Sequence, residues 1–101
     1  MSERLHVRPT RRASQQIQEA DAWWEKNRLA APGAVREELE QAFALLSAQP
    51  GVGARARNAR LRGVRRIHLS RIGYYLYYRV KRSVVEVLAF WHASRGSGPR
   101  V

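Results

Sequence analysis

The stretch RRIHLSRIGYYLYYRV at residues 65–80 decides how this chain folds. Apolar and polar side chains alternate along residues 64–70, which is the period of a β-strand, and residues 74–80 are rich in the aromatic and branched types that strands favour. Ser70 to Gly73 supply a turn between the two runs, so the stretch predicts an antiparallel hairpin. It also carries four tyrosines, four arginines and one histidine with no acidic residue, so its exposed face combines base-stacking and anion-binding groups.

A third strand follows the hairpin. Residues 84–92, VVEVLAFWH, are apolar on both faces, as in a central strand, and Lys81-Arg82-Ser83 turn the chain before them. If both turns have even-numbered loops, as two-residue hairpins do, three cross-strand pairs follow. These pairs are Arg66 with Tyr77, His68 with Tyr75, and Arg79 with Glu86.

This register separates the two faces of the predicted sheet. The apolar face should cover the core and contains Ile67, Leu69, Tyr74, Leu76, Tyr78, Val80, Val85, Val87, Ala89 and Trp91. The polar face contains Arg66, His68, Tyr75, Tyr77, Arg79, Glu86, Leu88, Phe90 and His92.

Two interpretations of the polar face stay open. It is either a solvated surface with cross-strand Tyr–Arg contacts and one Arg79–Glu86 pair, or a platform for a polyanion. In the second case tyrosines stack on bases, arginines hold phosphates and a histidine moves protons near neutral pH.

The residues before the hairpin predict one strand and two helices. Residues 4–8, RLHVR, alternate as a short strand, and Thr10 is a good helix N-cap. The first helix should stop near Arg28, and the second should begin at Pro32 and end before Gln49-Pro50-Gly51. The apolar stripes that define the two helices are Ala13, Ile17, Ala20, Trp23 and Trp24, then Val35, Leu39, Ala42, Phe43 and Leu46.

Together these elements predict an α+β fold: an N-terminal strand, a helical hairpin, then a three-stranded antiparallel meander. The helices should pack on the apolar face, and the N-terminal strand should join the sheet edge. The 101 residues are one domain, with a core at about 4–92 and a loose C-terminal tail at 93–101. Residues 51–63, GVGARARNARLRG, have no apolar period and predict a mobile basic loop that carries Arg55, Arg57, Arg60 and Arg62.

The charge of the chain is large and unevenly distributed. There are 19 Lys and Arg against 8 Asp and Glu, for a net charge of +11. Residues 1–40 hold as many acidic as basic residues, whereas residues 41–101 hold twelve basic residues and a single acidic one, Glu86. A GC-rich genome would explain arginine in place of lysine but not this segregation, so we expect a polyanionic partner, either nucleic acid or an acidic protein.

Several kinds of site and location are not expected. The chain has no cysteine, which excludes disulfides and thiolate metal sites. His6, His68 and His92 fall on different predicted strands without other ligands, so no metal is expected, and no cofactor is expected because there is no glycine-rich phosphate loop. With no apolar run of membrane length and no signal-peptide core in MSERLHVRPT, we expect a cytoplasmic protein that binds no membrane.

Four motifs in order resemble the RelE/ParE superfamily of bacterial type II toxins. They are WW at 23–24, RGVRRIHL at 62–69, GYYLYYRV at 73–80 and VLAFWHASRG at 87–96, and the resemblance covers roughly residues 5–96. It implies a small toxin that an acidic, ParD-like or RelB-like antitoxin neutralises, with operator DNA bound only through that complex. It also implies an antitoxin-binding surface, for which we take Trp23, Leu29, Leu45, Arg57, Arg60 and Arg62.

The superfamily implies two alternative targets. RelE-like members are ribonucleases that cut mRNA in the ribosome, whereas ParE-like members poison DNA gyrase and are not nucleases, so the resemblance leaves open whether this chain is an enzyme. The absence of lysine from residues 41–70 and the WHASR ending resemble the ParE branch more closely. A gyrase poison would use binding residues, for which we take Arg65, Arg66, Tyr75, Tyr77, Arg79, His92 and Arg95. A nuclease would use His68 or His92 as general acid or base with Arg66 and Arg79 at the phosphate.

Overall fold

The computed structural model describes residues 4–101, which form two α-helices and one five-stranded sheet. In chain order the elements are β1 (His6–Pro9), α1 (Arg11–Asn27), α2 (Ala34–Ala48), β2 (Ala54–Arg55), β3 (Arg65–Leu69), β4 (Tyr74–Lys81) and β5 (Val84–His92). The strand order is β1-β5-β4-β3-β2, with β1 parallel to β5 and the other neighbours antiparallel. This arrangement confirms the predicted α+β fold, with the N-terminal strand at one edge of the meander. None of the helices in residues 4–101 combines the length and apolar character that crossing a membrane requires.

The helices form where the apolar stripes predict them. The Thr10 hydroxyl accepts a hydrogen bond from the Ala13 N–H at 3.1 Å, which caps α1. Helix α2 begins at Ala34 rather than at Pro32, because Gly33 occupies the N-cap position. Both helices cover one face of the sheet, where the main core contains Ala13, Ala20, Ala34, Val35, Leu39, Ala42, Leu46, Ile72, Leu76, Tyr78, Val85, Val87 and Phe90.

Strand β2 lies within the segment predicted as a mobile basic loop. Ala54 pairs with Arg66 and Arg55 with Arg65, and the Ala56 N–H donates to the Val64 carbonyl at 2.9 Å. The pairing spans two residues, too few for an alternation to be visible in the sequence. The first part of the loop is therefore fixed to the sheet edge.

The three predicted cross-strand pairs are confirmed. Arg66 lies opposite Tyr77, His68 opposite Tyr75, and Arg79 opposite Glu86. The β4–β5 turn has two loop residues, Arg82 and Ser83, with φ angles of 51° and 63°. Positive φ at both positions is the type I′ geometry that matches the twist of a two-residue hairpin.

A β-bulge in β5 changes which residues share a face. Tyr78 pairs with Val87 but Tyr77 pairs with Ala89, so Leu88 is an extra residue in the strand. Beyond the bulge the alternation of β5 is reversed. The prediction that Phe90 and His92 lie on the polar face, with Ala89 and Trp91 on the core face, is therefore wrong. Phe90 instead joins the main core, stacked on Tyr74 with ring centroids 4.4 Å apart and planes 7° apart.

We call the side of the sheet away from the helices the open face; it contains Arg66, His68, Tyr75, Tyr77, Arg79, Glu86, Leu88, Ala89 and Trp91. Part of it is covered by a second, smaller core formed by Val64, Tyr77, Leu88 and Ala89, against which Ala56, Ala59, Tyr75, Trp91 and Val101 pack.

Residues 93–101, for which the sequence predicts a loose tail, have no helix or strand but return to the sheet. The indole N–H of Trp91 donates to the Ser97 carbonyl at 2.8 Å, and the Arg60 N–H donates to the Val101 carbonyl. Arg12 of α1 donates to the Arg100 carbonyl at 2.6 Å. The tail therefore lies beside the segment between β2 and β3.

Candidate functional site

The open face carries a row of three flat side chains from two neighbouring strands. The guanidinium of Arg66 lies 4.1 Å from the ring centroid of Tyr75, and the His68 ring lies 4.8 Å from the same ring. Arg66 also donates to the Tyr77 hydroxyl at 3.2 Å, which fixes its direction. We call Arg66, Tyr75 and His68 the arginine–aromatic row. It exists because β3 and β4 pair in the register that the hairpin sequence predicts.

Arg79 lies on the same face but is already paired. Its Nε donates to the Glu86 carboxylate at 2.9 Å, and both side chains are partly buried. Glu86 is the only acidic residue of residues 41–101. The charge of Arg79 is thus largely neutralised within the protein, whereas Arg66 forms no ion pair with a carboxylate of residues 4–101.

Arg65 does not join the open face. It lies opposite Tyr78, whose ring is fully buried in the main core, and its guanidinium donates to the Gly53 carbonyl at 2.7 Å. Neighbouring residues of a strand point to opposite faces. Arg65, which is predicted together with Arg66 as a gyrase-binding residue, therefore lies on the opposite face of β3 from Arg66.

His92 is the last residue of β5, and Arg95 follows it in the tail. His92 lines a cleft of about 240 Å³ on the helix side of the sheet, together with Trp23, Trp24, Arg28, Ile72 and Tyr74. Its Nδ1 accepts the Ser94 N–H at 3.1 Å, and its ring meets Tyr74 edge-on at 4.9 Å. The Arg95 guanidinium lies 4.2 Å from the Trp91 ring centroid.

The structure therefore divides the predicted site residues. Arg66, His68, Tyr75, Tyr77 and Arg79 are together on the open face, while His92 faces the helices. A single catalytic group containing both histidines and both Arg66 and Arg79 does not form.

A groove of about 730 Å³ runs beside the arginine–aromatic row. One wall is β2 with the turn after it, the other is the returning tail, and Arg66 and Tyr77 lie between them. The lining residues are Ala54, Arg55, Ala56, Arg57, Asn58, Ala59, Arg66, Tyr77, Gly98, Pro99 and Val101. Among the lining residues, the arginines and Tyr77 were predicted from the sequence. The second wall of the groove depends on the return of the tail, which the composition of residues 93–101 does not indicate.

The helical hairpin exposes apolar side chains, as the predicted antitoxin-binding set requires. Trp23 is 48% exposed, Leu29 81% and Leu45 38%. The Arg28 guanidinium lies 5.0 Å from the Trp23 ring centroid and 5.6 Å from that of Trp24. The other residues of that set, Arg57, Arg60 and Arg62, are exposed in the segment between β2 and β3.

Two tyrosines of β4 have altered acidity. Burial raises the pKa of Tyr78 above its ordinary value, and the hydrogen bond from the Gly53 N–H to its hydroxyl opposes that shift only in part. Burial also raises the pKa of Tyr74, against the smaller effect of the Arg95 charge. Both are core residues whose hydroxyls stay protonated at neutral pH.

No cluster of three or more His, Cys, Asp or Glu side chains suited to a metal ion occurs within residues 4–101. The cations of the open face and of the groove instead favour an anionic ligand, held by arginine donors and flat rings.

The fold is a small α+β domain with a helical hairpin on one face of the sheet and a basic open face opposite. The family described as "ParE toxin of type II toxin-antitoxin system, parDE" matches residues 7–96. The chain belongs to this ParE toxin family, as the resemblance in the sequence implied.

One similar solved structure is described as "Chromosomal ParDE TA system from P. aeruginosa". It is 23% identical in sequence with a TM-score of 0.72, and the match covers 92% of this chain and 100% of that one. At this identity the likeness shows a shared fold. No curated protein matches the chain.

Proposed function

We propose that this chain is the growth-arresting toxin of a type II toxin–antitoxin pair, that it acts in the cytoplasm by poisoning DNA gyrase, and that an acidic antitoxin neutralises it. The observation that carries the proposal is the family match over residues 7–96. The basic half of the chain and the exposed apolar hairpin supply the surfaces that such a target and such an antitoxin need.

The arrangement of the nuclease candidates supports gyrase over mRNA as the target. A general acid–base pair has to reach the same phosphate within hydrogen-bond distance. His92 lies on the helix side of the sheet, and Arg79 is held by Glu86 at 2.9 Å. Only Arg66 and His68 remain side by side on the open face, and on this proposal they bind and do no chemistry.

The first experiment separates the two targets in cells. The chain is induced alone in bacteria, and incorporation of labelled thymidine and of labelled methionine is followed over the first minutes. Early loss of DNA synthesis while translation continues is the expected result. Purified toxin should then increase the fraction of cleaved plasmid in a gyrase reaction. Early loss of translation would instead indicate mRNA cleavage and contradict the gyrase proposal.

A histidine variant tests whether the open face does chemistry. His68→Ala should lower the effect on gyrase by about tenfold or less, because it removes one contact of a larger binding face and no catalytic group. If the chain is a nuclease that uses His68, the same change should lower mRNA cleavage by about 10²-fold or more. His6→Ala, on an exposed position of β1, is the matched control.

A further inference from the structure

The groove beside the arginine–aromatic row has two walls, and hydrogen bonds and packing contacts hold each wall in place. Ala54 and Arg55 of the first wall are paired with β3, and the Ala56 N–H is bonded to the Val64 carbonyl at 2.9 Å. The tail wall is held by the bond from Trp91 to the Ser97 carbonyl at 2.8 Å and by the packing of Val101 on the smaller core. Because both walls are anchored, the groove is preorganised for a ligand.

Positively charged side chains line the groove, and no Asp or Glu side chain of residues 4–101 does. The lining arginines are Arg55, Arg57 and Arg66. Within residues 4–101 the ion pairs are Arg36 with Asp21, Arg71 with Glu37 and Glu38, and Arg79 with Glu86. None of these involves a lining arginine, so the groove presents three guanidinium groups that form no ion pair with an Asp or Glu side chain.

The neighbouring row favours nucleic acid over an acidic polypeptide. An acidic peptide needs donors for its carboxylates but gains little from flat surfaces. A nucleic-acid strand needs both, since its phosphates pair with arginine while its bases stack on aromatic rings and guanidinium planes. Tyr75 and the exposed His68 extend the groove by two such rings next to Arg66.

We propose that this groove binds the sugar–phosphate backbone of a single DNA strand, with the adjacent bases stacked along the arginine–aromatic row. The groove of about 730 Å³ has the volume of a small-molecule pocket, which suits one strand rather than a duplex. The inference rests on the proposed function for the choice of DNA over RNA, because DNA is the substrate of gyrase. On this inference the toxin binds DNA as well as gyrase.

The test uses the purified full-length chain without gyrase. A fluorescent single-stranded DNA oligonucleotide is titrated at several salt concentrations, and anisotropy gives the dissociation constant. Three arginine–phosphate contacts predict a slope of about −2 for the logarithm of affinity against that of salt. Arg57→Ala should bind about tenfold more weakly, as expected for one lost hydrogen bond to a charged group, and with a shallower slope.

Two further variants distinguish binding in the groove from non-specific electrostatic attraction to the basic protein. Lys81→Ala removes the same charge at the far end of β4 and should bind within twofold of the parent. Gly98→Leu changes no charge but adds a side chain where the glycine Cβ would lie 3.6 Å from the Tyr77 hydroxyl, so it should also weaken binding. Circular dichroism and melting temperature verify that each variant is folded.

Several results would overturn the inference. Equal losses for Arg57→Ala and Lys81→Ala would show that the strand is held by diffuse charge. A poly-glutamate peptide that binds as tightly as the oligonucleotide, or RNA of the same sequence that binds tenfold more tightly, would assign the groove to another ligand. The absence of binding at low salt would also reject it.

A parallel gyrase assay distinguishes the two proposals. A chain that poisons gyrase but binds no strand contradicts the inference and leaves the proposed function intact. A chain that binds the strand through the groove but leaves gyrase untouched supports the groove site and contradicts the proposed target.

Discussion

Gly53 lies at a point where three parts of the chain meet with no space for a side chain. Its N–H donates to the Tyr78 hydroxyl at 2.8 Å, and its carbonyl accepts from Arg65 at 2.7 Å. A Cβ added here would lie 2.7 Å from that hydroxyl and 2.8 Å from the Arg66 carbonyl oxygen. Because one of these neighbours is backbone, a substitution has to move β2 or β3, and both border the groove.

Gly53→Ala should therefore lower the free energy of unfolding by about 1–3 kcal/mol, the usual cost of overpacking. Urea denaturation followed by circular dichroism measures it. Gly51→Ala is the matched control, since nothing lies within 4 Å of the position where its Cβ would stand. Equal stability of the two variants would contradict the close packing at Gly53.

The stability of the fold depends on the protonation of two tyrosines in β4. Burial raises the pKa values of Tyr74 and Tyr78, so each holds its proton more tightly in the folded than in the unfolded chain. The stabilisation is complete below the unfolded value of about 10 and is lost as pH rises above it.

We expect the free energy of unfolding to fall as the pH rises from about 10, and to fall less in Tyr74→Phe/Tyr78→Phe. Denaturation curves across this range, compared with Tyr75→Phe as a control for tyrosine content, provide the measurement. A fall of equal size in the double variant and in the parent would show that other groups cause it.

How well each strand could be predicted from the sequence depended on how strongly its two faces differ in polarity. Strands β3 and β4 alternate and end in recognisable turns, so their register and the grouping of Arg66, His68, Tyr75 and Tyr77 could be predicted from the sequence. Strand β5 is apolar on both faces, so its pattern carries no signal of the bulge at Leu88. That one extra residue explains why His92 was assigned to the wrong side of the sheet. The second wall of the groove was missed for another reason: its contacts are long-range, from a tail of small and polar residues.

In the whole molecule, the exposed apolar residues and the basic residues of the groove lie on two different surfaces. The exposed apolar residues of the helical hairpin lie on one side of the sheet, and the arginine–aromatic row with its groove lies on the other. Under the proposed function an antitoxin anchored on the hairpin has to extend past the sheet edge to reach the groove. Anchoring and neutralisation are then carried by different parts of the antitoxin.

Trp23→Ala should weaken binding of the antitoxin by about tenfold or more, because a half-exposed tryptophan is a typical interface anchor. Calorimetric titration with the antitoxin encoded beside the toxin measures the change. Val80→Ala is a suitable control, since Val80 is 47% exposed and Trp23 48%, but Val80 lies at the far end of β4. Similar losses in both variants would argue against the hairpin as the docking surface.

The parallel pairing of β1 with β5 has a consequence for how the toxin is made. His6 to Pro9 leave the ribosome long before their partners in the sheet, Val84 to Val87. Strand β5 also contacts α1 and β4, so the sheet cannot close until β5 itself has been synthesised. A chain released early lacks the strand that joins its parts, and aborted synthesis should leave the cell with unfolded fragments rather than with a partly active poison.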